Sequence, residues 1–156
     1  MKGYNSSIEK DTKSNTDYRR VVFTGKYSQL VLMNLKPLEE IGMEVHERVD
    51  QFFRFEEGTG KVIINGIEHE VKDGDAVIVP AGAKHNVINT SKKVDLKLYT
   101  IYSPPEHKDG TVEHFKACVD EIKELRKVLK EWHDEVFKQG VKGYFKDNKQ
   151  NLEVTA

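Results

Sequence analysis

The sequence predicts an all-β barrel or sandwich followed by a C-terminal amphipathic α-helix. Between Tyr18 and Tyr102 the apolar residues fall in short runs separated by turn residues, the spacing of an antiparallel all-β domain. After Gly110 the apolar period changes from two to about three and a half, so the strand pattern gives way to a helical one.

The strand-like runs are Gln29 to Leu35, Gln51 to Phe55, Lys61 to Ile64, Ile67 to Val71, Ala76 to Val79, Asn86 to Asn89 and Leu96 to Tyr102. Asn65-Gly66 lies between two of them and readily takes the positive φ angles of a two-residue hairpin turn. Asp73-Gly74 marks another turn, and Pro80-Ala81-Gly82-Ala83 reads as a constrained loop. Ser103-Pro104-Pro105 stops the last strand, because proline has no N–H to give to a sheet ladder. Beyond it, Phe115, Val119, Ile122, Leu125, Leu129, Trp132 and Val136 form a helical stripe opposite Lys116, Glu121, Glu124, Lys127, Lys130 and Glu131. The chain thus divides into an N-terminal polar arm (1–17), a barrel (18–110), a helix (111–140) and a polar tail (141–156). Because the barrel motifs end before the helix, truncation at Gly110 is expected to leave the barrel folded.

Composition narrows the function classes. With 156 residues there is room for one domain with a core of its own, needing no disulfide or structural metal. The 25 Lys and Arg offset 26 Asp and Glu, and no basic block stands out, which argues against nucleic acid as a partner. The N-terminus lacks the apolar segment of a signal peptide and no apolar run is long enough to cross a membrane. The one cysteine, Cys118, cannot staple the chain to itself, so the expectation is a soluble cytoplasmic protein.

Two segments carry chemistry. Gly74 to Asn89 reads G-x5-P-x-G-x2-H-x3-N, with His85 as its histidine, and resembles the second cupin motif at every defined position. Gly42 to Gly58, which contains His46, Arg48, Asp50 and Gln51, resembles a degraded first cupin motif, G-x5-H-x-H-x3,4-E-x6-G. Fifteen residues separate Gly58 from Gly74, close to the spacer of microbial single-domain cupins. The phrases VDQFFR, VPAGAKHNVIN and LKLYTIYSPPEH are similar to those of small bacterial cupins of the conserved-barrel type, over about residues 18–112.

The resemblance implies a double-stranded β-helix, the cupin jelly roll, with the C-terminal helix added and a homodimer as the assembly. It also implies a divalent metal (Fe, Mn, Ni or Zn) held by two histidines and a glutamate of the first motif and one histidine of the second. Carried over by position, His46 matches the first ligand and His85 the last, and Arg48 stands where the second histidine belongs. Counting back from Gly58 places Gln51 at the glutamate, with the interval from residue 48 one residue short. A guanidinium stays protonated and has no lone pair for a metal, so Arg48 is not a ligand. Gln51 offers a neutral carbonyl oxygen, which leaves the metal charge for Asp50 or a substrate anion to balance.

The expected metal ligands are therefore His46, Gln51 and His85. If residues 46–50 form a strand, side-chain alternation points His46, Arg48 and Asp50 the same way, which makes Arg48 and Asp50 candidates for binding substrate. Tyr99 and Tyr102 have opposite parity, so one phenol faces inward, and Tyr102 is the candidate. His69, His107, His114 and His133 have no partners at metal spacing and read as structural or surface residues. The function expected is binding of a divalent metal and a small polar or anionic metabolite; the alternative is a metal-free anion-binding module built from Arg48, His46 and His85. If the chain is an enzyme, cupin chemistry makes it an isomerase, lyase or dioxygenase, and no catalytic residue is assigned. The apolar helix stripe is expected to be covered by the barrel or by a second chain.

Overall fold

Alternating inward and outward residues build the barrel strand by strand. The structure, a computed structural model, describes residues 3–152, with side chains for 3–118 and 120–138. In chain order the elements are α1 (Ile8–Ser14), β1 (Arg19–Thr24), β2 (Gln29–Leu35), β3 (Asp50–Glu57), β4 (Thr59–Ile64), β5 (Ile67–Lys72), β6 (Ala76–Val79), β7 (His85–Asn89), β8 (Leu96–Ser103), β9 (Val112–Glu113) and α2 (Lys116–Leu152). Two antiparallel sheets form, one in the order β6-β3-β8-β2-β1-β9 and one in the order β5-β4-β7. This is the jelly roll the sequence predicts, with its added helix.

The core shows the period-two logic directly. On β8, Leu96, Leu98, Thr100 and Tyr102 are buried and the residues between them are not. On β3, Gln51, Phe53 and Phe55 point the same way and stand opposite Tyr102, Thr100 and Leu98. Val62 of β4 and Val87 of β7 close the core from the other sheet, both fully buried. Burying so many large apolar groups supplies most of the driving force for folding. Asn65 and Gly66 both take positive φ, as the β4–β5 hairpin demands. Gly58, at the β3–β4 corner, combines φ +90° with a backbone approach so close that a Cβ would run into the Asp95 carbonyl oxygen.

The ends of the chain depart from expectation. The N-terminal arm is partly ordered as α1, and Thr12, Asn15 and Asp17 are buried, so it belongs to the folded unit. Val112 and Glu113, expected in the helix, pair with Arg20 and Arg19 as β9. The buried Arg19 guanidinium meets Glu113 Oε2 at 2.7 Å. His114 Nδ1 donates to Asp17 Oδ1 at 2.6 Å, tying the same two segments. The helix accordingly begins at Lys116, and it runs through residues 141–152, which the sequence reading assigned to a polar tail. Residues 3–116 and the helix from Ala117 onward are separate compact units. On the helix, Ile122, Leu125, Leu129, Trp132 and Val136 are between 46% and 62% exposed. Among the described residues no helix is long and apolar enough to cross a membrane.

Candidate metal centre

The site lies at the end of the barrel where β3 and β7 begin and β8 ends. His85 is the first residue of β7, Gln51 the second of β3, and Tyr102 the last but one of β8. All three side chains are at most 2% exposed. The fourth wall is an irregular segment, residues 39–46, that runs antiparallel to β7 through bridges Glu40 to Ile88 and Glu44 to His85. The buried Asn86 fixes this segment. Its Nδ2 donates to Glu40 Oε2 and its Oδ1 accepts from the Gly42 N–H, both at 2.9 Å.

This arrangement brings Glu44, His46 and His85 together, each offering a ligand atom within 4.8 Å of the other two. Glu44 and His46 are two residues apart on an extended segment and so share a side. The parity ends there, because Glu47 and Arg48 form a turn. Arg48 is exposed beyond it, so the alternation that was to aim it inward with His46 does not apply. Asp50 is also exposed, and its Oδ1 accepts from the Ala81 N–H at 2.8 Å, bracing the loop before β7.

His46 sits between two carboxylates. Its Nε2 lies 3.5 Å from Glu44 Oε2 and its Nδ1 lies 3.4 Å from Glu106 Oε1. The Glu44 carboxylate raises the His46 pKa, burial opposes it, and Glu106 adds to the rise. Even so, the buried Nε2 completes no hydrogen bond. His85 is shifted the other way. Burial lowers its pKa, the Ala83 carbonyl opposes, and the charge of His46 lowers it again. Its Nδ1 is 3.1 Å from the Ala83 carbonyl oxygen, an obligate acceptor, so Nδ1 carries the proton and the neutral ring keeps its lone pair on Nε2. That lone pair faces Gln51 Oε1 at 3.0 Å, while Gln51 Nε2 donates to Thr100 Oγ1 at 3.1 Å.

Two acceptors facing each other at hydrogen-bond distance need a cation or a proton between them. Ligand bonds of about 2.1 Å set at 90–110° place neighbouring donor atoms roughly 3.0–3.4 Å apart. The observed 3.0 Å separation lies in that range and the 3.5 Å one just beyond it. Two imidazoles with carboxylate and amide oxygens form a donor set suited to first-row divalent metals. The residues present therefore fit a metal ion.

Three residues around the site were not singled out from the sequence. Glu44 is one. Glu106 and His107 are the others, delivered by the segment after β8, where the His107 ring meets Tyr102 edge-on at 4.9 Å. The fully buried Gln29 holds that segment. Its Nε2 donates to the His107 carbonyl at 2.7 Å, and its Oε1 accepts from the N–H groups of Glu106 at 3.3 Å and His107 at 2.9 Å. Tyr102 also packs edge-on to His46, at 5.7 Å. Burial pushes the Tyr102 phenol far up, the Arg19 charge opposes, and Glu44 and Glu106 add to the rise, so the hydroxyl stays protonated.

A double sheet with a histidine-carboxylate cluster at its mouth defines the class, and comparison with known proteins agrees. The cupin domain family matches residues 31–102. The chain is 45% identical to the YrkC protein of Bacillus subtilis over 117 residues, which are 71% of this chain and 62% of YrkC. It is 41% identical to the L612 protein of Acanthamoeba polyphaga mimivirus over 114 residues, 70% of this chain and 71% of L612. Among solved structures, BH2720 of Bacillus halodurans is 41% identical, with a TM-score of 0.74 over 77% of this chain and 95% of that one. The chain belongs to the cupin domain family.

Membership and geometry together revise the motif register. Moving the first motif two residues toward the N-terminus sets Glu44 and His46 at its two histidine positions. The intervals to Gln51 and Gly58 then become four and six residues, with none missing. The leading glycine position falls on Leu38, whose φ of +62° is a backbone angle that favours glycine.

Proposed function

We propose that this cupin binds a divalent metal through Glu44, His46 and His85, with Gln51 Oε1 as a fourth donor, and presents it to a small polar or anionic metabolite at the barrel mouth. The observation that carries the reading is the buried His46 Nε2, which completes no hydrogen bond while facing the Glu44 carboxylate. An unsatisfied buried polar atom is costly, and a metal would satisfy it. The Glu44 charge takes the balancing role that a neutral Gln51 cannot fill. Glu106 orients the His46 ring from its far nitrogen, as carboxylates beside metal-bound histidines do. When bound, the metal supplies Lewis-acid polarisation of a substrate oxygen. Tyr102 stands ready as a hydrogen-bond donor at the floor of the site, and the half-exposed Glu106 as a proton acceptor at its rim.

The metal-free alternative has less support. Without a cation, the Glu44 and Glu106 carboxylates flank His46 and repel an anion, while Arg48 is exposed in its turn. The exposed apolar residues of the helix support a homodimer, and the single cysteine, Cys118, supports a reducing cytoplasm. Elemental analysis of protein purified without an affinity tag tests the metal reading, with His46→Ala/His85→Ala as the control. A near-stoichiometric divalent metal lost in the control is the expected result. Equal metal content in the two proteins would overturn it.

A further inference from the structure

The exposed apolar face of α2 has a regular spacing. Phe115, Cys118, Ile122, Leu125, Leu129, Trp132 and Val136 follow one another at intervals of three and four residues without a break. This 3.5-residue period is that of a coiled-coil seam, with Val119 and Val128 at the positions beside it. Cys118, Leu125 and Trp132 fall at one core position of the heptad, and Phe115, Ile122, Leu129 and Val136 at the other. β-Branched Ile122 and Val136 at the first core position, with Leu125 at the second, favour two strands running parallel. The flanks agree. Glu121 and Arg126 occupy the two positions that meet across a parallel pair, Glu121 of one helix against Arg126 of the other. In an antiparallel pair each would face the wrong flank and the attraction would be lost.

Resting on the homodimer reading above and going beyond it, we infer that α2 forms a parallel, in-register, two-stranded coiled coil with a second copy of the same chain. The seam buries Ile122, Leu125, Leu129 and Trp132, which are about half or more exposed in one chain. The two-fold axis places each core residue against its own counterpart, so Cys118 of one chain meets Cys118 of the other. Two thiols so placed are within reach of a disulfide after small adjustment in the first helical turn.

The experiment is oxidation of the full-length chain by diamide, alongside sedimentation equilibrium. Diamide takes two electrons and two protons from a pair of Cys118 thiols and leaves a covalent dimer. The expected result is a dimeric mass and complete cross-linking at a rate independent of protein concentration, slowed about tenfold or more in Leu125→Glu/Leu129→Glu. Glu121→Arg should slow the reaction and the added Arg126→Glu should restore it, a rescue that a merely structural effect would not give. A dimeric mass without cross-linking, or cross-linking untouched by the leucine pair, overturns the coiled coil and leaves the homodimer standing. A monomeric mass overturns both, and neither result bears on the metal site.

Discussion

Glu44 and His85 exchange backbone hydrogen bonds across an isolated antiparallel bridge, at 2.8 and 2.9 Å, so one pair of peptide groups sets both side chains on the same side of the site. The carboxylate can be altered without disturbing the bonds that place it. Glu44→Gln keeps shape and bridge and removes the charge. The expected outcome is a loss of about tenfold to a hundredfold in affinity for Mn²⁺ or Zn²⁺ by titration calorimetry, with the thermal midpoint of the metal-free protein unchanged. Wild-type affinity in this variant would remove Glu44 from the ligand set.

Arg48 provides the contrasting case. Exposed in a turn, it is expected to tolerate alanine within about 0.5 kcal/mol, measured by urea unfolding. Arg48→His should leave metal content unchanged, because the imidazole would project from an exposed turn outside the two motif positions held by Glu44 and His46. A rise in bound metal would show that the turn rearranges on loading.

Gln29 carries a heavier load than its polar character suggests. Replacing it with methionine fills its volume but removes the partner of part-buried backbone groups of Glu106 and His107, at an expected cost of about 1–2 kcal/mol in chemical denaturation. Metal affinity should fall too, since Glu106 would no longer be held against His46. A destabilised variant that binds metal normally would separate the scaffold role from the site.

Acid stability should depend on Asp17. Burial raises its pKa, but the hydrogen bonds from His114 and Arg20 outweigh burial and hold the carboxyl below its ordinary value. A depressed carboxyl stabilises the fold above the unfolded pKa of about 3.9 and loses that contribution as pH falls through the lower folded value. Asp17→Asn should therefore lower stability at pH 7 and flatten the fall below pH 4. Parallel stability curves for the two proteins across that range would refute the assignment.

The strands were legible where inward positions are apolar. β2 and β6 coincide with their sequence runs because every second residue from Val31 to Leu35, or a short apolar run, marks them. β1 hid because its first inward residue is Arg19, a charge paired with Glu113, which lies 94 residues away in sequence. α1 hid because its seven residues bury only Thr12 and so show no apolar stripe. At the site, His46, Gln51, His85 and Tyr102 could be read because motif and parity marked them. Glu44 escapes a motif aligned on histidines, because its carboxylate stands at a histidine position. The four-residue interval from His46 to Gln51 was the signal that could have found it.

The β1–β9 pairing has a consequence for how the barrel is threaded. Tyr18 N–H donates to the His114 carbonyl at 3.3 Å, so the chain enters and leaves the sandwich at one spot. The barrel segment is nearly a closed ring, and ending it at Gly110 would strip the partner from a buried guanidinium. A ring can be reopened elsewhere. Joining the segment before Tyr18 to that after His114, and cutting at the exposed Asn65-Gly66 corner, would reorder the strands while keeping every pairing that builds the site except the severed hairpin turn.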